Sequence, residues 1–408
     1  MKNFILIFLT ISLSANLFAQ NDKYPSKEED NYYKIFGYKY TPYKPLDTAF
    51  ILNFKSEYYE IKETEINYEP YSFKKCYTPH SKYLQEYLDS LRSKLPWAAF
   101  IKQAGQESEK DIGKIGNIYR GMILKYDKRD SIEAFIYLDY KYENRWHGEP
   151  GLWIGYSENN GNDWNYYYTG IVQSQPVFVK HYSQRPLIKE KGMFEIDACL
   201  LRQLSAFSHP INPDYECVKD GIYITLDINI ITKDSDGDGL TDIIEDKFHT
   251  NKYNKDTNGN GIPDQIDPNP RVNYPRTEKS KIYEALINSD VDWDNWDKKF
   301  NGYKLLFKEE ATFVTDSVET ILIVTDDKDL MGVRPEKYRV IFMNTDEYKQ
   351  ANFYNKELND MRFSPLFKVD KMKNTYKIRK SFGTGSCKDL IRKTKKGWMI
   401  KPIFSMIF

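Results

Sequence analysis

Hydrophobic positions change their pattern several times along the chain. From Phe4 to about Leu17 they form one short, largely apolar run, preceded by Lys2 and followed by Phe18-Ala19-Gln20. That layout predicts a secretory signal peptide over residues 1–19, too short and wrongly flanked for a membrane span. No later stretch is long and apolar enough to cross a bilayer, so no transmembrane span is expected. Residues 20–47 are polar and rich in Tyr and Pro and read as an extended leader.

Helical spacing comes next, at Tyr83, Leu84, Tyr87, Leu88 and Leu91, which predicts an amphipathic helix over Ser81–Leu95 that ends before Pro96. Short apolar runs separated by turn residues follow at Ile118–Tyr126, Ile132–Tyr142, Leu152–Tyr156, Trp164–Thr169, Val172–His181 and Ile222–Thr232. They predict a β-rich domain over residues 48–232, mostly antiparallel and sandwich-like. Beyond Pro268, Pro270 and Pro275 a helical pattern covers Glu278–Ile287. Strand-like runs then occupy Tyr303–Phe307, Thr320–Thr325, Tyr338–Met343, Leu366–Val369, Tyr376–Ser381, Leu390–Lys393 and Trp398–Phe408, with a short helix near Thr345–Asn352. Residues 271–408 therefore read as an α+β domain with an antiparallel sheet, in a multidomain chain.

The stretch between the two patterns, residues 233–270, carries the chemistry. Asp234-Ser-Asp-Gly-Asp-Gly-Leu-Thr-Asp-Ile-Ile-Glu245 fits a 12-residue calcium loop, which offers oxygens from positions 1, 3, 5, 7, 9 and 12 and turns at a glycine in position 6. The ligand positions are Asp234, Asp236, Asp238, Leu240 through its carbonyl, Asp242 (often through water) and Glu245, and the turn is Gly239. A solvated turn has no reason to place five acids at this spacing. A second loop repeats the pattern with Asp256, Asn258, Asn260, Ile262 through its carbonyl, Asp264 and Asp267, around Gly261. Its amides carry no charge and Asp267 is shorter than Glu245, so a weaker site is expected. Ile222, Ile224, Leu226, Ile228 and Ile230 alternate with polar residues, so a strand rather than a helix should feed the first loop. The spacer after Glu245 is expected to be too short for helices, which argues against paired helix–loop–helix hands.

Residues 234–267 resemble the bacterial thrombospondin type 3 repeat, in which such loops follow one another closely and wrap around their ions. The resemblance implies ligands at Asp234, Asp236, Asp238, Asp242 and Glu245, then at Asp256, Asn258, Asn260, Asp264 and Asp267. It also implies calcium binding, often in adhesive or cell-surface proteins.

Composition narrows the classes. Lys+Arg and Asp+Glu both number 59, so the chain as a whole offers no case for nucleic acid. The predicted export places the protein in the periplasm, at the cell surface or outside the cell, where calcium is plentiful enough to fill weak loops. Export also permits disulfides among Cys76, Cys199, Cys217 and Cys387. Cys199–Cys217 is the favoured bridge, against an equal alternative of buried thiols.

Other motifs point to structure rather than catalysis. Ser157–Trp164 resembles the Asp-box hairpin of sialidases, but stands as one copy where a propeller needs repeats. Gly383–Lys388 lacks phosphate-loop spacing and reads as a hairpin turn. The histidines at 80, 147, 181, 209 and 249 form no metal spacing; His147 lies in a polar loop. The basic stretch from Lys368 to Lys401 reads as a solvated face. The expected function is calcium binding that stiffens the link between two domains, with a cell-surface, glycan or protein partner. Alternatives are a secreted hydrolase with structural calcium and a calcium-dependent adhesion module.

Overall fold

The computed structural model describes residues 27, 45–64, 114–119, 123–139, 151–172, 176–180, 185–204, 215–288, 304–305, 319–336, 338–350, 360–382, 385–395 and 397–407. The expected signal peptide, most of the leader, the helix at Ser81–Leu95, Cys76, and His80, His147, His181 and His209 lie outside them.

The chain is β-rich and its sheets are mainly antiparallel. The first sheet contains β1 (Tyr59–Glu63), β8 (Val177–Val179), β9 (Ile188–Glu190), β10 (Met193–Gln203) and β11 (Tyr215–Asp227), in the order β1-β11-β10-β8 with β9 also on β10. A short hairpin, β2 (Lys114–Ile115) with β3 (Ile118–Tyr119), precedes the second sheet. That sheet is a four-stranded meander of β4 (Ile123–Arg129), β5 (Ile132–Asp139), β6 (Gly151–Ser157) and β7 (Asn165–Val172). One apolar core draws on both sheets, with Phe135, Ile154 and Tyr168 from the meander and Phe194, Ile196 and Ile224 from the first sheet. Tyr156 and Phe194 meet edge to face across it, ring centroids 5.4 Å apart.

The Asp-box-like hairpin joins β6 to β7 and holds itself together. Ser157 Oγ accepts from Gly161 N at 3.0 Å, Asn159 Oδ1 accepts from Asp163 N at 2.9 Å, and Trp164 Nε1 donates to Gly161 O at 2.9 Å. Asn160 and Gly161 supply the positive φ angles of the tip.

The last sheet contains β12 (Lys304–Leu305), β13 (Glu319–Val324), β14 (Tyr338–Met343), β15 (Asp360–Phe363), β16 (Phe367–Lys368), β17 (Thr375–Phe382), β18 (Gly385–Thr394) and β19 (Gly397–Ile407). Its order is β12-β19-β18-β17-β15-β13-β14, with β16 on β17. The expectation of a purely antiparallel sheet needs correction here, because β13 runs parallel to both β14 and β15. Glu319–Val324 and Tyr338–Met343 are near-continuous apolar runs, as parallel strands covered on both faces are. β17 and β18 pair antiparallel along their length, with Phe382 opposite Gly385, as the hairpin reading expects. The basic face is not uniformly solvated: Lys377 and Lys388 are buried, and Lys380 is buried with Asp389 at 2.7 Å.

Helices are short: α1 (Thr48–Leu52), α2 (Ile228–Ile231), α3 (Asp242–Phe248), α4 (Glu278–Asn288), α5 (Lys328–Met331) and α6 (Thr345–Gln350). Among the described residues no helix is long and apolar enough to cross a membrane. Two of these helices correct the sequence expectation around the loops. The strand ends at Asp227, whose carboxylate accepts from Asn229 N and caps α2, so Ile228 and Ile230 are helical. The spacer after Glu245 does admit a helix: α3 begins inside the first loop and stops at His249, which adopts the left-handed conformation.

Leu240, Ile243, Ile244 and Phe248 from this stretch are buried in the same core as the two N-terminal sheets, together with Leu322, Val324, Ile341 and Met343 from the last sheet. Residues 233–270 thus pack between the flanking sheets and are not an exposed tether.

Candidate metal centre

Both loops are built on one set of hydrogen bonds. In the first, Asp242 N donates to Lys233 O at 2.7 Å, while the Asp242 carboxylate accepts from Ser235 N at 2.7 Å and Ser235 Oγ at 2.8 Å. In the second, Asp264 N donates to Lys255 O at 2.8 Å, and the Asp264 carboxylate accepts from Thr257 N at 3.0 Å and Thr257 Oγ1 at 2.6 Å. Position 9 therefore closes each loop onto position 2, a role the calcium spacing does not reveal. The visible signal was the Ser or Thr at position 2 of both loops.

The position-1 acids then gather backbone donors. Asp234 accepts from Gly237 N at 2.6 Å and Gly239 N at 3.0 Å; Asp256 accepts from Asn260 N at 3.1 Å and Gly261 N at 2.7 Å. Gly239 and Gly261 have φ of +103° and +88°, which the turn at position 6 requires and side-chain-bearing residues resist.

The first loop brings Asp234, Asp236 and Asp238 together, with one carboxylate oxygen from each within 4.8 Å of the others. Asp236 Oδ1 accepts from Asp238 N and Asp238 Oδ1 from Leu240 N, which orients both acids. Glu245 is fully buried at the start of α3, and among the described residues neither of its carboxylate oxygens has a hydrogen-bond partner; the buried Oδ2 of Asp236 also has none there. Burial, then the charges of Asp236, Asp238, Asp242 and Asp264, push the Glu245 carboxyl up to about 8. Asp238 is also raised, chiefly by burial. Asp242 moves the other way: burial raises it, but the Ser235 bonds and Lys233 outweigh that and hold it low. An unpaired buried carboxylate beside four others is costly unless a cation joins it.

The second loop has the same frame but different contents. Asn258 Oδ1 accepts from Asn260 N and Asn260 Oδ1 from Ile262 N, which turns both amide nitrogens toward Asp267 Oδ2, at 3.0 and 2.7 Å. Asp267 Oδ1 accepts from Asn269 N at 2.7 Å. Asp267 is thus as buried as Glu245 but fully partnered. Ile262 is partly exposed at the outer edge. Asp264 lies between the loops; burial raises its carboxyl to about 6 against the opposing Thr257 bonds.

Contacts tie the loops to each other and to the last sheet. Asp238 Oδ2 accepts from Gln265 N at 3.1 Å, and Lys255 Nζ donates to Gly237 O at 2.9 Å. Arg339 of β14, almost fully buried, donates to the Gln265 carbonyl and covers the Phe248 ring at 4.9 Å. Asn269 Nδ2 donates to Met331 O at 2.8 Å. On the other side the Tyr58 hydroxyl donates to Asp246, and Lys247 reaches the Tyr168 hydroxyl at 3.3 Å. Gln265, Asn269 and Arg339 escaped the sequence reading because their role depends on packing.

The residues define a β-rich chain with a compact all-oxygen acidic centre, half-buried at Asp234, Asp236 and Asp238 and fully buried at Glu245. No protein-family model matches the chain, and neither a curated protein nor a solved structure resembles it significantly.

Proposed function

We propose that this is an exported calcium-binding protein, in which the first loop takes a Ca2+ ion and the paired loops fix the arrangement of the flanking β-rich and α+β parts. The observation that carries this reading is Glu245, whose two carboxylate oxygens are buried without partners next to the Asp234–Asp236–Asp238 cluster. The residues that would hold the ion are Asp234, Asp236, Asp238, Glu245 and the Leu240 carbonyl. Calcium accepts a flexible set of six to eight oxygens, including a bidentate carboxylate; Mg2+ demands near-ideal octahedral geometry and keeps several waters. The chain supplies carboxylates and a carbonyl, and offers neither thiolate nor imidazole in the cluster, which favours a hard ion.

The second loop is the weaker site in this reading, because Asp267 already accepts from Asn258 and Asn260. An ion there must displace bonds that the first loop never made. Since Leu240, Ile243 and Phe248 belong to the shared core, neutralising the first loop would stabilise the packing on both sides of it.

The test is calorimetric titration of the metal-stripped chain with Ca2+ and, separately, Mg2+, alongside limited proteolysis across residues 234–267. Calcium should release or absorb heat and protect the stretch, with magnesium much weaker. No heat and no protection would end the proposal.

A further inference from the structure

A second pair of side chains has chemistry that the calcium reading leaves unused. Cys199 on β10 and Cys217 on β11 face the same side of the first sheet. Cys199 is fully buried in a small cluster with Phe178 and Leu201, and Leu201 lies opposite Cys217 in the register. Irregularities on either side of Leu200 shift the register between the strands there. The two sulfurs are in hydrogen-bond contact, and Cys217 is exposed while Cys199 lies beneath it. Cys387 stands on another sheet, where Lys380 bonds its thiol.

We propose that Cys199 and Cys217 are a redox modification site that closes to a disulfide linking β10 to β11 when a small-molecule or protein disulfide is present as oxidant. The direction of attack follows from exposure. The Cys199 thiol donates to Cys217 and lowers its pKa, so Cys217 is the better thiolate, and it is also the accessible one. Cys217 attacks one sulfur of the oxidant RSSR, forming a mixed disulfide and releasing RS⁻. Cys199 then gives up its proton to the released thiolate and attacks the Cys217 sulfur, forming the internal bond and expelling the second RS⁻, which takes a proton from water buffer. The two cysteines lose two electrons and two protons, and RSSR becomes two RSH. Thiols already in contact need no strand movement of the size that prevents bridging between distant cysteines. The bond would brace the connection between β10 and β11, and a crosslink in that place restricts the unfolded chain.

The experiment uses the full chain. It is equilibrated natively with oxidised glutathione, quenched with acid and an alkylating agent, and digested without reductant for mass spectrometry. The expected product is a crosslinked peptide pair containing Cys199 and Cys217, with both absent from the alkylated pool. Recovery of Cys217 as a stable glutathione adduct with Cys199 alkylated, of both as alkylated thiols, or of Cys217 joined to Cys76 or Cys387, would overturn the proposal. Thermal unfolding gives a second readout. The oxidised wild-type chain should melt higher than the reduced one, and Cys217→Ser, at an exposed position, should show no such difference. A shift that survives in Cys217→Ser would equally overturn it.

Discussion

Replacing Glu245 by Gln separates the cost of the buried charge from its use. Gln has nearly the shape of a protonated Glu, so the substitution leaves the buried polar atoms in place and removes only the ionisation. With a carboxyl at about 8 in the folded chain against an ordinary 4.5, the metal-free protein at pH 7 carries a penalty of about 3 kcal/mol, from about 1.4 kcal/mol per unit over the 2.5 units between 4.5 and 7. In chelator, Glu245→Gln should therefore be more stable than wild type by up to about 3 kcal/mol. In calcium the order should reverse in relative gain. At a hundredfold excess over Kd the wild type gains about 2.7 kcal/mol, and a variant bound a hundredfold more weakly gains only about 0.4 kcal/mol. Urea unfolding followed by tryptophan fluorescence, with chelator and with calcium, measures all four stabilities. Loss of stability in chelator would refute the claim that Glu245 is held where its ionisation is unfavourable. An undiminished calcium response would refute its role as a ligand.

The same shift sets a pH dependence. Glu245 has a raised folded-state value, and Asp236, Asp238, Asp242 and Asp264 face it. Through Glu245 the folded chain binds more protons than the unfolded one between about 4.5 and 8, while buried His249, lowered to about 4, acts in the opposite sense below about 6.5. Metal-free stability should therefore fall as pH rises from about 6.5 to 8, and calcium binding at pH 7 should release a proton, seen as binding heats that depend on the buffer's ionisation enthalpy; buffer-independent heats would contradict this. Asp238→Ala should weaken calcium by at least about tenfold, since it removes a charge and the contact to Gln265 N, while Asn260→Ala should change the first site by well under tenfold. Equal losses in calorimetry would contradict the charge argument. Phe248→Ala should cost about 3–5 kcal/mol in urea unfolding, because the ring is fully buried in the core that the loops share with both flanking sheets. A loss below about 1 kcal/mol would show that this stretch is not part of the core.

Much of the strand pattern was legible because apolar runs and alternations bounded by turn residues both read as strands. Ile132–Tyr142 and Leu152–Tyr156 became β5 and β6 almost unchanged, and Tyr338–Met343 became β14. The same rule misled at Ile228 and Ile230. There the alternation continues, but the Asp227 cap offers the backbone a helical start that periodicity does not weigh. Met193–Gln203 escaped notice because Glu195 and Asp197 interrupt its apolar run, and only packing shows that Arg185 pairs with both. The parallel pairs of the last sheet were hidden for a related reason: buried strands look alike whichever way their neighbours run. At the loops, residue type and spacing disclosed which acids could meet. They did not disclose which would be left without partners, since that depends on Asn258 and Asn260 reaching Asp267 while nothing reaches Glu245.

That contrast explains how one frame can support unequal sites. Both loops spend their position-9 acid on a Ser or Thr at position 2 and their position-1 acid on backbone N–H groups. Those bonds satisfy the backbone of a tight turn, which would otherwise leave donors unpaired. The loops differ at the inner positions 3, 5 and 12. In the second loop two amides and one acid at these positions satisfy one another. In the first, three acids repel, and one of them, Glu245, is fully buried on a helix whose Ile243, Ile244 and Phe248 are buried in the core. Packing of that helix holds Glu245 where its charge is unfavourable, and in the proposed reading a cation is what relieves it. Substitutions in Phe248 or Arg339 should then weaken calcium without touching a ligand, and that link between core and centre is what distinguishes a built site from an acidic turn.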